Sequence, residues 1–491
     1  MMYHQRLCCF TLLELKSPMH IGSGEIFSPF VDRPVLRDVG TNIPFMPGST
    51  LAGRFGALLG DELKIKWFKG YRKENPGGEP GPSDLIMDDA YPIFAQQERL
   101  KWPVEIRDNN SIMRSTLTGK KDHFFQEEVI PKGTQFCFSC RCDFIDKDDM
   151  ELFKHHLIEF LSSEYQLGAK ETAGQGVFKA ARLAWRYYDL SAEDKKDLKA
   201  WILKGHGYQW QGDWDKLEKD LGSTDENRGS CFSIEALTDK SVDKWKMRLT
   251  INIENGLHLS AGSSGLPKKG EPDKSQAERF KFAGDELKDE YVDYGTAVKG
   301  RIRTVMEMLL RTYLDRAGFS WDMIGKMVPC DPAPGKEGES QELEILNFFG
   351  ARHKKGAWAV NESPWEFEED NSNPLFKQDH NKLCEFTQQV MYKHKFDFAP
   401  LSRGKMEVVV TLDCVEIWQK LLIYRAGQML ALNILPWGGY GSRGYLGAKI
   451  VDISIDDIGK GGTADQEENI IQKGLIDKIK IWKQEKGGKN G

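Results

Sequence analysis

The chain opens on a strand-like alternation of apolar and polar positions that ends in small residues, LLELKSPMHIGSGE at 12–25. The same pattern returns as LTINIENGLHLSAGSSG at 249–265. Helical spacing follows each time. Over 49–63, Leu51, Phe55, Leu58, Leu59 and Leu63 recur at helical intervals, with Ser49 as the expected N-cap. Over 296–315, Val298, Ile302, Val305 and Leu309 point inward and Thr296 takes the capping place. MEVVVTLDCV at 406–415 reads as a strand. Each half is expected to run strand, glycine turn, long loop, helix, further strands and hairpins, second helix, then a glycine loop into a last strand.

Three anchors occur twice in the same order. The strand-and-turn pattern aligns His20 with His258 and Gly24 with Gly262, an offset of 238. PGSTLAGRFGALL at 47–59 and YGTAVKGRIRTVMEMLL at 294–310 align Gly48 with Gly295, Ser49 with Thr296 and Arg54 with Arg301, an offset of 247. GAKETAGQGVFK at 168–179 and GGYGSRGYLGAK at 438–449 align Gly168 with Gly438, Thr172 with Ser442 and Lys179 with Lys449, an offset of 270. Offsets that only grow are what a duplication with loop insertions produces. The expected organisation is a first domain over 1–190, a charged, Trp-rich connector over 191–244, a second domain over 245–455 and a tail over 456–491 carrying one short amphipathic helix. Its class is α+β with antiparallel strands, and a split βαβ of the ferredoxin type accommodates the order.

Composition narrows the setting. Lys plus Arg number 68 against 74 Asp plus Glu, a net charge of −6, which argues against bulk coating of nucleic acid and leaves room for a local basic groove. No apolar run is long enough to span a bilayer, the N-terminus lacks the layout of a signal peptide, and nine scattered cysteines fit a reducing cytoplasm. Cys137, Cys140 and Cys142 lie in an apparent strand with no second Cys or His pair at finger spacing, so no resident metal is expected there. His155 and His156 read as helix surface.

The candidate chemistry is phosphate contact. Gly48, Ser49 and Thr50, and later Gly295 and Thr296, stand at helix starts, where free N–H groups and the positive dipole end favour anions. Arg54, Lys299, Arg301 and Arg303 lie within about two turns of those starts. The loops GAKETAG and GGYGSRG permit close backbone approach and would supply Lys170, Thr172, Ser442 and Arg443 as donors. A capped helix with solvated charges, and a tight turn, are the plain alternatives.

HIGSG at 20–24, Val31-Asp32-Arg33-Pro34-Val35-Leu36-Arg37-Asp38 and IPFMPGSTLAG at 43–53 resemble the opening of the RAMP superfamily. They are most similar to the repeated backbone subunit (the group-seven Cas family) of type III CRISPR effectors. Two copies in one chain look like the fused, type III-D-like form. Gly438 to Tyr445 resembles that family's C-terminal glycine-rich loop. The resemblance implies tandem ferredoxin-like, RRM-like domains with inserted hairpins and loops. It implies binding of guide RNA (crRNA) and of target RNA. Neighbouring RAMP and large-subunit proteins would be partners.

It further implies cleavage of target RNA by the aspartate matching Asp32, with a transiently bound divalent metal such as Mg2+ and cyclic-phosphate and 5′-hydroxyl products. His20, Gly22, Ser23 and Arg37 would contact RNA. A hairpin over 104–130 would wedge between bases, with Arg107 and Arg114 on phosphates and Ile112 or Met113 as the wedge. In the second half, FFGARHKKGAW at 348–358 combines basic and aromatic residues in a way that suits single strands. Arg279 stands opposite Asp32 at the offset of 247, and Asp273 lies in a Lys/Gly/Pro-rich stretch that reads equally well as a flexible loop. Two rivals remain: an inert architectural RNA-binding subunit, and a guide-processing endoribonuclease using His20 or His258.

Overall fold

The computed structural model describes residues 5–24, 31–68, 83–93, 104–113, 116, 118–144, 147–162, 165–190, 195–201, 214–217, 229–233, 244–259, 278–283, 286–328, 348, 355–367, 373–413, 416–439, 447–456 and 463–487. Asp273, Arg114, Ser442 and Arg443 lie outside them, as do most of 348–358.

Two antiparallel sheets organise the chain. In the first, β1 (Gln5–Leu15) lies between β5 (Gln135–Phe144) and β6 (Val177–Asp189), and β2 (Leu85–Met87) flanks β5. Between β2 and β5 the chain makes a hairpin of β3 (Glu105–Ile112) and β4 (Gly119–Val129). In the second sheet β7 (Trp245–Ile253) takes the central place. A further hairpin, β8 (Glu278–Ala283) with β9 (Glu286–Asp293), precedes the long helix. The second sheet's strand order is β10 (Trp358–Val360), β13 (Lys405–Leu412), β7 and β14 (Ala448–Ile455). Here too a hairpin, β11 (Gln378–Leu383) with β12 (Val390–Phe398), is inserted between the second and third strands.

Alternation along β1 explains both faces of the first sheet. Leu7, Cys9 and Leu13 turn to a core shared with α1 (Gly48–Leu58) and α2 (Lys147–Ser162), which contribute Leu51, Phe55, Phe153, Leu157 and Phe160. Cys8, Phe10 and Leu12 turn the other way, where connector residues Trp201 and Trp214 cover them. Arg6 stacks on Trp201 at 4.4 Å. Cys140 and Cys142 are core residues of β5, and the described residues hold no metal-ligating cluster.

The second core lies between its sheet and the helices α3 (Gly295–Arg316), α4 (Ile417–Ala431) and α5 (Ala464–Gly487). The expected short tail helix is 24 residues long. Ile471, Leu475 and Ile479 bury a stripe against that core, which fixes the helix in its place. No described helix is long and apolar enough to cross a membrane.

Local irregularities recur at, or within one residue of, the offsets seen in sequence. The β1–β6 ladder shifts register between Leu12 and Leu13, and the β7–β14 ladder between Thr250 and Ile251, 238 residues on. Ala169 donates its N–H to the His20 carbonyl at 2.8 Å, and Gly439 does the same to His258 at 2.8 Å. A Cβ on Gly176 would meet the Leu167 carbonyl at 1.8 Å, and one on Gly447 the Trp437 carbonyl at 2.0 Å. Both glycines have positive φ, so each loop needs glycine for two reasons.

The helix starts differ from expectation. Pro47 and Tyr294, not Ser49 and Thr296, are the N-cap residues, and each helix begins on its glycine. The run expected over 49–63 breaks after Leu58 and resumes as Asp61–Phe68. The long helix at 295–316 matches its expected span to one residue at each end.

The halves meet at a glycine joint. The first half's loop, a short 3-10 turn at Glu171–Ala173, lays the Ala173 carbonyl on the tip of α3. A Cβ at Gly295 would stand 2.0 Å from that carbonyl, and one at Gly174 would meet the Glu362 amide at 2.6 Å. Gly295→Ala is therefore expected to cost about 1–3 kcal/mol by overpacking. Gly300→Ala, five residues along the same helix with open space around its Cβ, should gain about 0.5–1 kcal/mol. Chemical denaturation of the two variants checks the contrast.

Candidate nucleic-acid interface

The segment carrying Asp32 is held by strand β4. Arg33 donates its backbone N–H to the Gln126 carbonyl at 3.0 Å, and Glu128 donates to the Arg33 carbonyl at 3.0 Å. The Asp32 side chain is exposed, and its Oδ2 accepts the Gln126 N–H at 2.7 Å. Its other oxygen has no partner among the described residues. Val31 on one side is buried, and Arg33 lies over the Phe125 ring at 4.1 Å, so a loop carboxylate is presented from a fixed backbone. A lone carboxylate builds no resident metal centre. It does fit the manner in which Mg2+ is held on nucleic acids, by one or two carboxylates plus the substrate's phosphates.

Several residues expected to meet RNA are committed inside the protein. Arg107 is buried and makes a bidentate pair with Glu362 at 2.6 and 3.0 Å. Lys170 donates to Asn109 and Glu127, each at 2.8 Å, and burial pulls its ammonium pKa down. Arg37 pairs with Glu128 at 3.3 Å, and Arg301 with the buried Asp293 at 3.0 Å. Each of these four cations is already paired with a carboxylate, eight residues away for Arg301 and 43 or more for the other three, so an RNA contact there would have to share or displace that partner. Arg303 keeps an edge in solvent while pairing with Glu307 at 2.8 Å.

Neither glycine helix tip is open. The Gly48 amide donates to Asp89 at 2.7 Å, so a side-chain carboxylate already occupies the place proposed for phosphate. The Gly295 tip is covered by Ala173, as described above. His20 is buried with Nδ1 at 2.7 Å from the Glu128 carbonyl, and His258 is fully buried against Phe398. Gly22 pairs with Val35 in an isolated bridge, and the Ser23 amide donates to the Pro34 carbonyl at 3.3 Å. Ser49 and Thr296 remain exposed; Thr50 and Thr172 are half-buried. Ile112 is exposed at the hairpin end, together with Phe124 on the facing strand, an aromatic that the sequence reading passed over.

What the fold brings together is a cation cluster at the joint. Arg54 on α1 and Lys355 ahead of β10 both meet Glu171, Arg54 at 3.6 Å. Lys299 on α3 stands over the Trp358 ring at 5.0 Å, and among the described residues it makes a long hydrogen bond to the Trp358 carbonyl at 3.4 Å. Burial pushes its pKa down to about 7, and the charges of Arg303 and Lys355 push the same way. No carboxylate among the described residues reaches it. A half-desolvated ammonium facing other cations is a place where an incoming phosphate lowers the energy. Glu171, the anion that organises the cluster, carries no signal in sequence, since its partners come from both halves.

Lys299 loses its proton as pH rises through about 7, so its attraction for phosphate fades on that side. RNA affinity is expected to fall about tenfold between roughly pH 6 and pH 8.5, the scale of one charged hydrogen bond. Lys299→Arg stays charged and should flatten the dependence in a filter-binding or anisotropy titration.

Comparison with known proteins adds one relation. No curated protein matches the chain. The model of the RAMP superfamily matches residues 12–179, from within β1 across the Asp32 segment, the hairpin and the glycine loop into β6; Lys299, Arg303 and Lys355 lie outside the matched stretch.

Proposed function

We propose that the chain is a tandem pair of ferredoxin-like RAMP modules, over 1–190 and 245–455, serving as a crRNA-holding backbone subunit of a type III CRISPR effector, of type III-D-like form. In this reading the subunit works in the cytoplasm beside other RAMP and large-subunit proteins, and Asp32 cuts target RNA. The RAMP match supports a CRISPR-associated, RNA-binding role in general terms. The observation that carries the cleavage reading is the exposed Asp32 carboxylate, one oxygen held by the Gln126 amide and the other open. A path of contacts joins it to the cation cluster: Lys170 meets Glu127 beside Arg33, and Glu171, next in sequence, meets Arg54 and Lys355.

Sequence choice belongs to base pairing between guide and target, while the protein reads backbone and shape. Lys299, Arg303, Lys355 and Arg54 would hold phosphates at the joint. Asp32 would orient the 2′-hydroxyl beside the scissile phosphate. The 2′-oxygen bonds to phosphorus as the bond to the 5′-oxygen breaks, leaving a cyclic phosphate. The 2′-hydroxyl proton passes to the open carboxylate oxygen or to water, and the leaving oxygen takes a proton from water. A Mg2+ ion, when bound with the RNA, would supply charge neutralisation at the phosphate. The buried state of His20 and His258 counts against the guide-processing rival, since neither ring reaches a surface where RNA could lie.

The alternative is an inert architectural RNA-binding subunit. Asp32→Ala separates the two. In the assembled complex, cleavage at one position of the target should fall by roughly 100-fold or more, with bound guide RNA unchanged. An unaltered cleavage ladder assigns the cutting to another subunit.

A further inference from the structure

Among the described residues the most deeply buried ion pairs lie between the two halves. Glu362 follows β10 in the second half, and its side chain is 1% exposed. It accepts two hydrogen bonds from Arg107 of β3, at 2.6 and 3.0 Å, and one from Arg279 of β8, at 2.8 Å. Arg279 also pairs with Glu290, and Lys281 meets Glu290 at 2.8 Å. Burial works against the Glu362 charge, yet Arg107 and Arg279 outweigh it and hold its pKa below the usual carboxylate range. Lys132, just after β4, forms a β-bridge with Lys281, so backbone contact follows the same seam.

The position of Arg107 matters. In the β3–β4 ladder Arg107 stands opposite Glu127, and Asp108 opposite Gln126, whose side chain also donates to Asp108 at 2.8 Å. The Gln126 amide holds Asp32 at 2.7 Å. The grip from the second half thus falls one residue pair away from the amide that aims the exposed carboxylate. Arg279, which stands opposite Asp32 at the repeat offset, is itself one of the gripping residues.

We infer that Glu362 is a positioning residue for Asp32: by clamping Arg107 between the halves it fixes the hairpin whose Gln126 amide holds that carboxylate. The consequence for cleavage rests on the reading of Asp32 given above; the consequence for the hairpin does not. On this view the second half serves the first half's site through Glu362, which is braced by Arg279, the residue that stands where its own aspartate would be.

Hydrogen exchange followed by mass spectrometry on the full chain tests it. Glu362→Gln should speed exchange in peptides covering 31–37 and 119–129 by about tenfold or more, with 5–15 in the sheet centre unchanged. Single-turnover cleavage at saturating target should fall by a similar factor while guide affinity holds, a loss that general instability would not confine to the chemical step. If Glu362→Gln does not fold, Glu362→Asp, which keeps the charge and shortens the reach, is read the same way. Wild-type exchange at 31–37 in a folded variant overturns the inference, and so does a loosened hairpin that cleaves at the wild-type rate. An Asp32→Ala complex that still cuts refutes the Asp32 reading instead, and the exchange data then decide the clamp on their own.

Discussion

A carboxylate that is almost wholly withdrawn from solvent, between guanidinium groups from opposite halves of the chain, is the constraint on which the arrangement depends. Stripping water from Glu362, Arg107 and Arg279 is costly, and attraction offsets it only while every partner is present. Removing one leaves the others buried with fewer partners than their desolvation requires. The lattice is therefore a weak source of net stability and a strong source of register. Of these pairs Arg107–Glu362 crosses between the halves, while Glu105 braces Arg107 from the first half and Arg279, Glu290 and Lys281 brace Glu362 from the second.

That register has two consequences for the surface. It fixes the hairpin that presents Asp32, and it seats the glycine loop of the first half on the tip of α3. The loop brings Glu171 with it, which draws Arg54 and Lys355 into one place beside Lys299. A chain of net charge −6 can thus carry a local anion site without a basic composition. The cations are gathered by tertiary contacts and one of them is left half-desolvated.

The glycine tips carry a related lesson. A helix start with glycine and a hydroxyl residue has the electrostatics to bind phosphate, and both tips here satisfy that demand internally. Asp89 reaches Gly48, and the Ala173 carbonyl lies on Gly295. The glycines are needed because backbone approaches to distances that any Cβ would block. The same residue type at the same position serves packing, where sequence alone equally allowed ligand contact.

Elements were legible in the sequence because they are encoded locally. Helical spacing marked α1 and α3, alternation marked β1, β7 and β13, and paired glycines marked the loops before β6 and β14. The loop motif pointed to Asp32, which is indeed exposed, and the hairpin over 104–130 is there. The fate of the basic residues was not legible. Arg107 meets Glu362 across 255 positions, and Lys170 meets Glu127 across 43. Periodicity and turn chemistry reach only a few residues, whereas the choice between a solvated cation, a buried ion pair and an open phosphate site is made by whichever carboxylate the folded chain brings within about 3 Å.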